Sequence, residues 1–113
     1  MNKKEIIEFC LKLPNTFEDT PFNDKFETIV MKHKDNKKWY ALIMEVQDKI
    51  YLNVKTIPEY SELLRSAYEY IVPGYHMNKQ HWNSISISDK VDVSLVQELI
   101  EQSYELTKSK KAK

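Results

Sequence analysis

Between Phe26 and Lys55, three extended segments follow one another with connections too short for anything but hairpins. They run from Phe26 to His33, from Lys38 to Glu45 and from Ile50 to Lys55, with Asp35-Asn36 and Gln47-Asp48 supplying turn chemistry between them. A parallel crossover takes a dozen residues or more, so these segments must be neighbours in an antiparallel meander. The third alternates cleanly, with Ile50, Leu52 and Val54 on one side and Tyr51, Asn53 and Lys55 on the other, the pattern of a half-buried strand. The second is apolar on both sides: Trp39, Ala41 and Ile43 alternate with Tyr40, Leu42 and Met44, as expected of a central strand covered on both faces.

Helical signals flank this meander. Asn2 with Glu5 three positions on makes a capping box, Pro14 stops the helix, and Ile6, Ile7, Cys10, Leu11 and Leu13 fall on one side. Residues 16–25, with Glu18, Asp19, Pro21 and Asp24, read as an acidic loop. Pro58-Glu59 opens a second helix, with Tyr60, Leu63, Leu64, Ala67, Tyr68 and Ile71 as its core-facing stripe. Pro73-Gly74 ends it, and Gly74, the only glycine in the chain, is expected at a positive φ. Asn83 to Ile87 is a short strand. Asp89 or Asp92 caps a last helix that buries Leu95, Val96, Leu99, Ile100, Ser103 and Tyr104. The predicted order, α-β-β-β-α-β-α, is an α+β fold with helices packed on an antiparallel sheet. A single domain is expected over residues 1–107, followed by a basic, disordered tail at 108–113.

Composition narrows the function classes. The 113 residues include 17 basic and 17 acidic side chains, but four of the lysines lie in the final KSKKAK. Without that tail, 13 basic residues face 17 acidic ones, so the body carries about −4. The basic residues are sixteen lysines and one arginine, Arg65. Arginine provides the bidentate contacts that read guanine edges, so a nucleic-acid role would rest on lysine and backbone contacts to phosphate and would be salt-dependent. The lone Cys10 excludes an internal disulfide and a cysteine-cluster metal site, and its place on an apolar stripe reads as a buried, inert thiol. No apolar run has the roughly 20 residues of a membrane span, and the N-terminus has no signal-peptide stretch, so a cytoplasmic protein without membrane contact is expected. One glycine permits no phosphate-cradling loop, and no catalytic arrangement stands out. Neither an enzyme activity nor a cofactor is expected.

Two segments carry candidate binding chemistry. Pro73 to Asn83 (PGYHMNKQHWN) contains no acidic residue but has two of the three histidines and one of the two tryptophans. Either Lys79, His76 and His81 attract phosphate while Trp82 or Tyr75 stacks on a base, or the segment is a structural crossover with Trp82 in the core and the histidines bonded to backbone. The i, i+5 spacing of His76 and His81, with no neighbouring Cys, Asp or Glu, argues against a metal site. The hairpin tip Lys32-His33-Lys34-Asp35-Asn36-Lys37-Lys38 has four lysines against one aspartate. It either tracks a phosphate backbone or is a solvated turn whose lysines discourage edge pairing. The acidic 16–25 segment lacks the spacing of a calcium loop.

At the motif level the chain resembles the YjbR/MmcQ family. The matching residues are Phe9-Cys10-Leu11 with Leu13-Pro14, Glu18-Asp19, Pro21-Phe22, Lys38-Trp39-Tyr40-Ala41-Leu42, Leu52-Asn53-Val54-Lys55 and Ser103-Tyr104-Glu105-Leu106. The most specific are Pro73-Gly74-Tyr75-His76-Met77-Asn78-Lys79 and His81-Trp82-Asn83. The resemblance spans about residues 3–108 and implies a CyaY-like (frataxin-like) α+β fold. It also implies DNA binding through a double-wing motif, the wings being the turns at Asp35-Asn36 and Gln47-Asp48. It brings no catalytic residues. The leading expectation is a non-enzymatic module that grips DNA weakly through phosphate contacts from Lys32, Lys34, Lys37, Lys38 and Lys79. His76, His81 and Trp82 would be its base or sugar contacts. The alternative is a protein-interaction or chaperone-like homodimer without a nucleic-acid role.

Overall fold

The computed structural model describes residues 1–74 and 78–109. Its elements are α1 (Lys3–Leu11), β1 (Thr16–Asp19), β2 (Ile29–His33), β3 (Trp39–Val46), β4 (Lys49–Lys55), α2 (Pro58–Ala67), β5 (Ile71–Pro73), β6 (Trp82–Ile87) and α3 (Val93–Thr107). The strands form one antiparallel sheet in the order β1-β2-β3-β4-β6-β5. This is the expected α+β fold, with β3 inside the sheet and with two strands more than the sequence pattern showed.

Both added strands are edges. Thr16–Asp19 reads as an acidic loop but pairs with β2, Glu18 opposite Met31. Ile71, expected on the α2 stripe, instead pairs with Ile85, while Tyr68 ends the helix in an extended conformation. An edge strand is paired on one side only and is commonly protected by charge or proline. Glu18 and Asp19 on one edge and Pro73 on the other serve that purpose, and the same residues hide the strand pattern. The shortened α2 buries Ser61 and Leu64 and leaves Leu63 66% exposed.

The helices are stopped and started as the sequence dictates. Asn2 and Glu5 close the capping box on α1, each backbone N–H donating to the other's side chain at 2.8 Å. Asp92 rather than Asp89 caps α3 by accepting from the backbone of Ser94 and Leu95. α3 buries Val96, Leu99, Ile100, Ser103 and Tyr104 against Ala41, Ile43, Leu52, Val54 and Ile85 of the sheet, with Ile6 and Cys10 of α1 in the same core. Burial pushes the Cys10 thiol up to about 12, which makes it inert in the folded protein.

The turns manage without glycine. Gln47 and Asp48, both at positive φ, connect β3 to β4 between the paired Val46 and Lys49, as a two-residue hairpin of the right twist requires. Gly74, by contrast, does not have a positive φ. Its N–H donates to the Trp82 carbonyl at 2.8 Å, and an added Cβ would lie 2.9 Å from the Trp82 Cβ and 3.0 Å from its carbonyl oxygen. Close approach of two backbones, not a left-handed turn, is what requires glycine here. Gly74→Ala should therefore cost about 1–3 kcal/mol through overpacking, measured as a lower denaturation midpoint in urea.

Candidate nucleic-acid interface

Strand register brings the two candidate segments to one end of the sheet. Ala41 of β3 pairs with Val54 of β4, Val54 pairs with Asn83 of β6, and Lys55 pairs with Trp82. The β2–β3 turn therefore emerges at the same end as the turn that leads into β6. The two are separated by two strand spacings, or about 10 Å. Consecutive turns of a meander alternate ends, so Gln47-Asp48 lies at the opposite end with Glu45 nearby. The two turns matched to wings thus cannot form one contact surface at a single end.

The β2–β3 tip is held from several sides. His33 donates from its backbone to the Lys38 carbonyl at 3.1 Å and accepts from Lys37 N–H at 3.0 Å, with Lys37 at a positive φ. Asn36 accepts from Lys38 N–H at 2.9 Å and donates from its amide to the Thr107 carbonyl of α3, also at 2.9 Å. Lys34 N–H bonds the Asn15 carbonyl at 2.7 Å. Beneath the tip, His33 is buried, lies 2.8 Å from the Thr107 hydroxyl through Nε2, and packs against the rings of Tyr40 and Tyr104. The tip is consequently a fixed platform, with Lys34, Lys37 and Lys38 exposed upon it. Lys37 Nζ bonds the Lys34 carbonyl and sits 5.4 Å from the centre of the Phe17 ring.

Lys32 belongs to a different environment. It is half-buried, ion-paired to Asp19 at 2.6 Å, and 5.9 Å from the Phe17 ring centre. Its hydrogen bond holds the Asp19 carboxyl below the usual carboxylate range. It fastens edge strand β1 to β2 and presents no free charge.

On the β6 side, Asn78 organises the turn: its carbonyl accepts from the backbone of His81 and Trp82, and its side chain accepts from Gln80 N–H. The lone arginine clamps this turn. Arg65 donates from Nε to Asn83 Oδ1 at 2.7 Å and from Nη2 to the carbonyls of Lys79 and Trp82. Asn83, fully buried, donates in turn to the hydroxyls of Thr56 and Ser61. This network is absent from the sequence reading. The signal for it was the solitary Arg65 on a helix flanking an acid-free loop. Lys79 is exposed on the turn, His81 and Trp82 are half-buried, and the His81 carbonyl accepts from Thr56 N–H. Trp82 stands outside the core cluster, on the strand against Gly74. His76, with Tyr75 and Met77, lies outside the described residues.

Exposed lysines are concentrated on the two turns at this end. Lys34, Lys37, Lys38 and Lys79 face a single carboxylate on the tip, Asp35, while Glu105 is engaged by Lys108 at 3.5 Å. The arginine is consumed internally, so what remains is a row of ammonium groups that can neutralise phosphates but cannot make arginine's forked contacts to base edges. Among the described residues no three His, Cys, Asp or Glu side chains come together as a metal set, and no helix is long and apolar enough to cross a membrane.

Burial holds His33 below its ordinary value near 6.5, so the folded state carries it neutral. The unfolded chain then binds more protons as pH falls through 6.5, and stability declines until the lower folded value is passed. Melting temperature should accordingly fall between pH 7.5 and 5.5, and His33→Gln should flatten that slope. Further loss is expected below the ordinary carboxylate range, where Asp19 and Asp24 are protonated, both being held low by hydrogen bonds in the folded state.

These features define a small antiparallel α+β domain whose described helices lie on one face of the sheet and whose lysine-bearing turns lie at one end. The particular family follows from comparison: residues 11–106 match the YjbR family, and the chain belongs to it. It is 36% identical to the uncharacterized protein YyaQ of Bacillus subtilis, over 96% of this chain and 99% of that protein. It is 29% identical to the uncharacterized protein YjbR of Escherichia coli, over 93% and 86% of the two chains. Among solved structures, a Pseudomonas syringae protein superposes with a TM-score of 0.87 at 31% identity, over 96% of this chain and all of the other. A Deinococcus radiodurans protein, DR2400, with a DUF419 domain, gives 0.85 at 35% identity, over 95% and 78%.

Proposed function

We propose that this YjbR-family chain is a non-enzymatic nucleic-acid-binding module. Its contact surface is the lysine-bearing end of the sheet, built from Lys34, Lys37, Lys38 and Lys79 with His81 and Trp82 beside them. The supporting observation is that strand register puts two lysine-bearing turns, distant in sequence, on one rim about two strand spacings apart. Of the acidic residues, Glu45, Asp48 and Asp89 lie towards the other end, while Asp35 and Glu105, the latter beside Lys108, stand near the lysine-bearing turns. Contacts of this kind grip phosphate without reading sequence, so binding is weak, DNA-backbone-dominated and salt-dependent.

Fluorescence anisotropy with labelled duplex DNA at two salt concentrations tests the reading, using the full chain and a chain ending at Ser109. Saturable binding by both, weakening with salt at about −0.9 in the log–log slope per neutralised phosphate, supports a site in the folded body. Binding by the full chain alone would assign the affinity to the terminal lysines and refute the rim.

A further inference from the structure

We infer that the helix-free face of the sheet is a binding site for a small, uncharged aromatic molecule that carries one N–H or O–H donor. The three helices of the described residues pack on the other face, and among those residues the segment between β1 and β2 is what covers this one. That segment folds across it: Phe22 meets Trp39 edge to face at 5.4 Å, Asp24 is tied to Thr28 by two hydrogen bonds, and the Phe26 carbonyl accepts from Glu45 N–H. Between segment and strands is a cavity of about 640 Å³, walled by Phe22, Phe26, Trp39, Leu42, Met44 and Tyr51. A cavity of this size and lining suits a small organic molecule.

One polar atom in this wall is unexplained. Asn53 lies on β4 between Leu42 and Ser84, lines the cavity and is 1% exposed, yet its Oδ1 accepts no hydrogen bond among the described residues. A buried acceptor without a donor is costly to retain, and the adjoining apolar space offers it no protein partner. A ligand donor would complete it, while the aromatic walls would supply the non-directional affinity.

The lining also sets the ligand's charge. Among the described residues no lysine or arginine borders the cavity, and the one carboxylate that does, Asp24, is already occupied by Thr28. Phosphorylated or carboxylated molecules are therefore disfavoured, which separates this site from the lysine-bearing rim in chemistry as well as in place.

The test is an NMR titration of the full-length 15N-labelled protein with indole, 2-naphthol and carbazole, each beside its N- or O-methylated form. The expected result is saturable shifts at Leu42, Tyr51 and Asn53 for at least one parent compound, with its methylated form binding about three- to tenfold more weakly, the worth of one hydrogen bond. Asn53→Leu should erase that difference while raising the melting temperature, since it removes an unpaired buried acceptor. Equal binding of parent and methylated forms by the wild type would overturn the assigned role of Asn53. No saturable shift with any pair would overturn the site, as would concentration-dependent dimerisation in sedimentation that moves the same resonances, which would make the occupant a second copy.

Discussion

Replacing Lys34, Lys38 and Lys79 together with glutamate is expected to weaken duplex DNA binding by about 10²–10³ at 0.1 M salt. Each lysine lost removes one neutralised phosphate and about 0.9 from the salt slope, and each new carboxylate adds repulsion. All three side chains are exposed, and their side chains anchor no neighbouring element, so the fold should survive and a melting curve will show it. Lys37 is left in place because its ammonium bonds the Lys34 carbonyl and packs over Phe17. Lys32→Glu is the informative contrast. It would set two carboxylates together at Asp19, loosening β1 and lowering stability, with little direct effect on DNA contacts. Unchanged affinity in the triple variant would remove the rim from consideration.

The second large effect is on stability. Asn83→Ala should cost about 2–4 kcal/mol, because a fully buried side chain with three hydrogen bonds is lost at once. Its Oδ1 is the acceptor for Arg65 Nε, so removal leaves a partly buried guanidinium short of a partner. The melting temperature should fall by roughly ten degrees or more. Asn83→Asp keeps the acceptor and lets the hydroxyls of Thr56 and Ser61 donate to it, so its cost should be markedly smaller. Because the same arginine holds the Lys79 and Trp82 carbonyls, Asn83→Ala should also weaken DNA binding at temperatures where the protein is still folded.

The fold was legible in the sequence wherever a strand or helix had two distinct faces. Ile50, Leu52 and Val54, the α3 stripe and the Asn2–Glu5 capping box all act locally, and each stands where its pattern placed it. The two edge strands were hidden because the residues that protect an edge from further pairing, Glu18, Asp19 and Pro73, are also those that signal a loop. Gly74 misled for a related reason: a glycine's commonest use is a positive φ, and its contact with Trp82 depends on how β5 meets β6. The candidate site was only half legible. Both lysine-bearing segments were visible, but their meeting at one end depends on the β3-β4-β6 register. The internal engagement of Lys32 and Arg65 depends on partners 13 and 18 residues away. Asn53 looked like an outward-facing residue of a half-buried strand. It is buried where Phe22, Asp24, Phe26 and Thr28, from the segment folded across that face, line the same cavity.

The central claim is that one end of the sheet, and not the other, meets nucleic acid. Amide spectra of the 15N-labelled full chain, titrated with a short DNA duplex at low salt, test it most directly. The account predicts shifts that cluster at residues 34–38 and at Lys79, Gln80 and His81, while Gln47, Asp48 and Lys49 stay still. Shifts centred on residues 47–49, or a spectrum that does not change with added duplex, would contradict it.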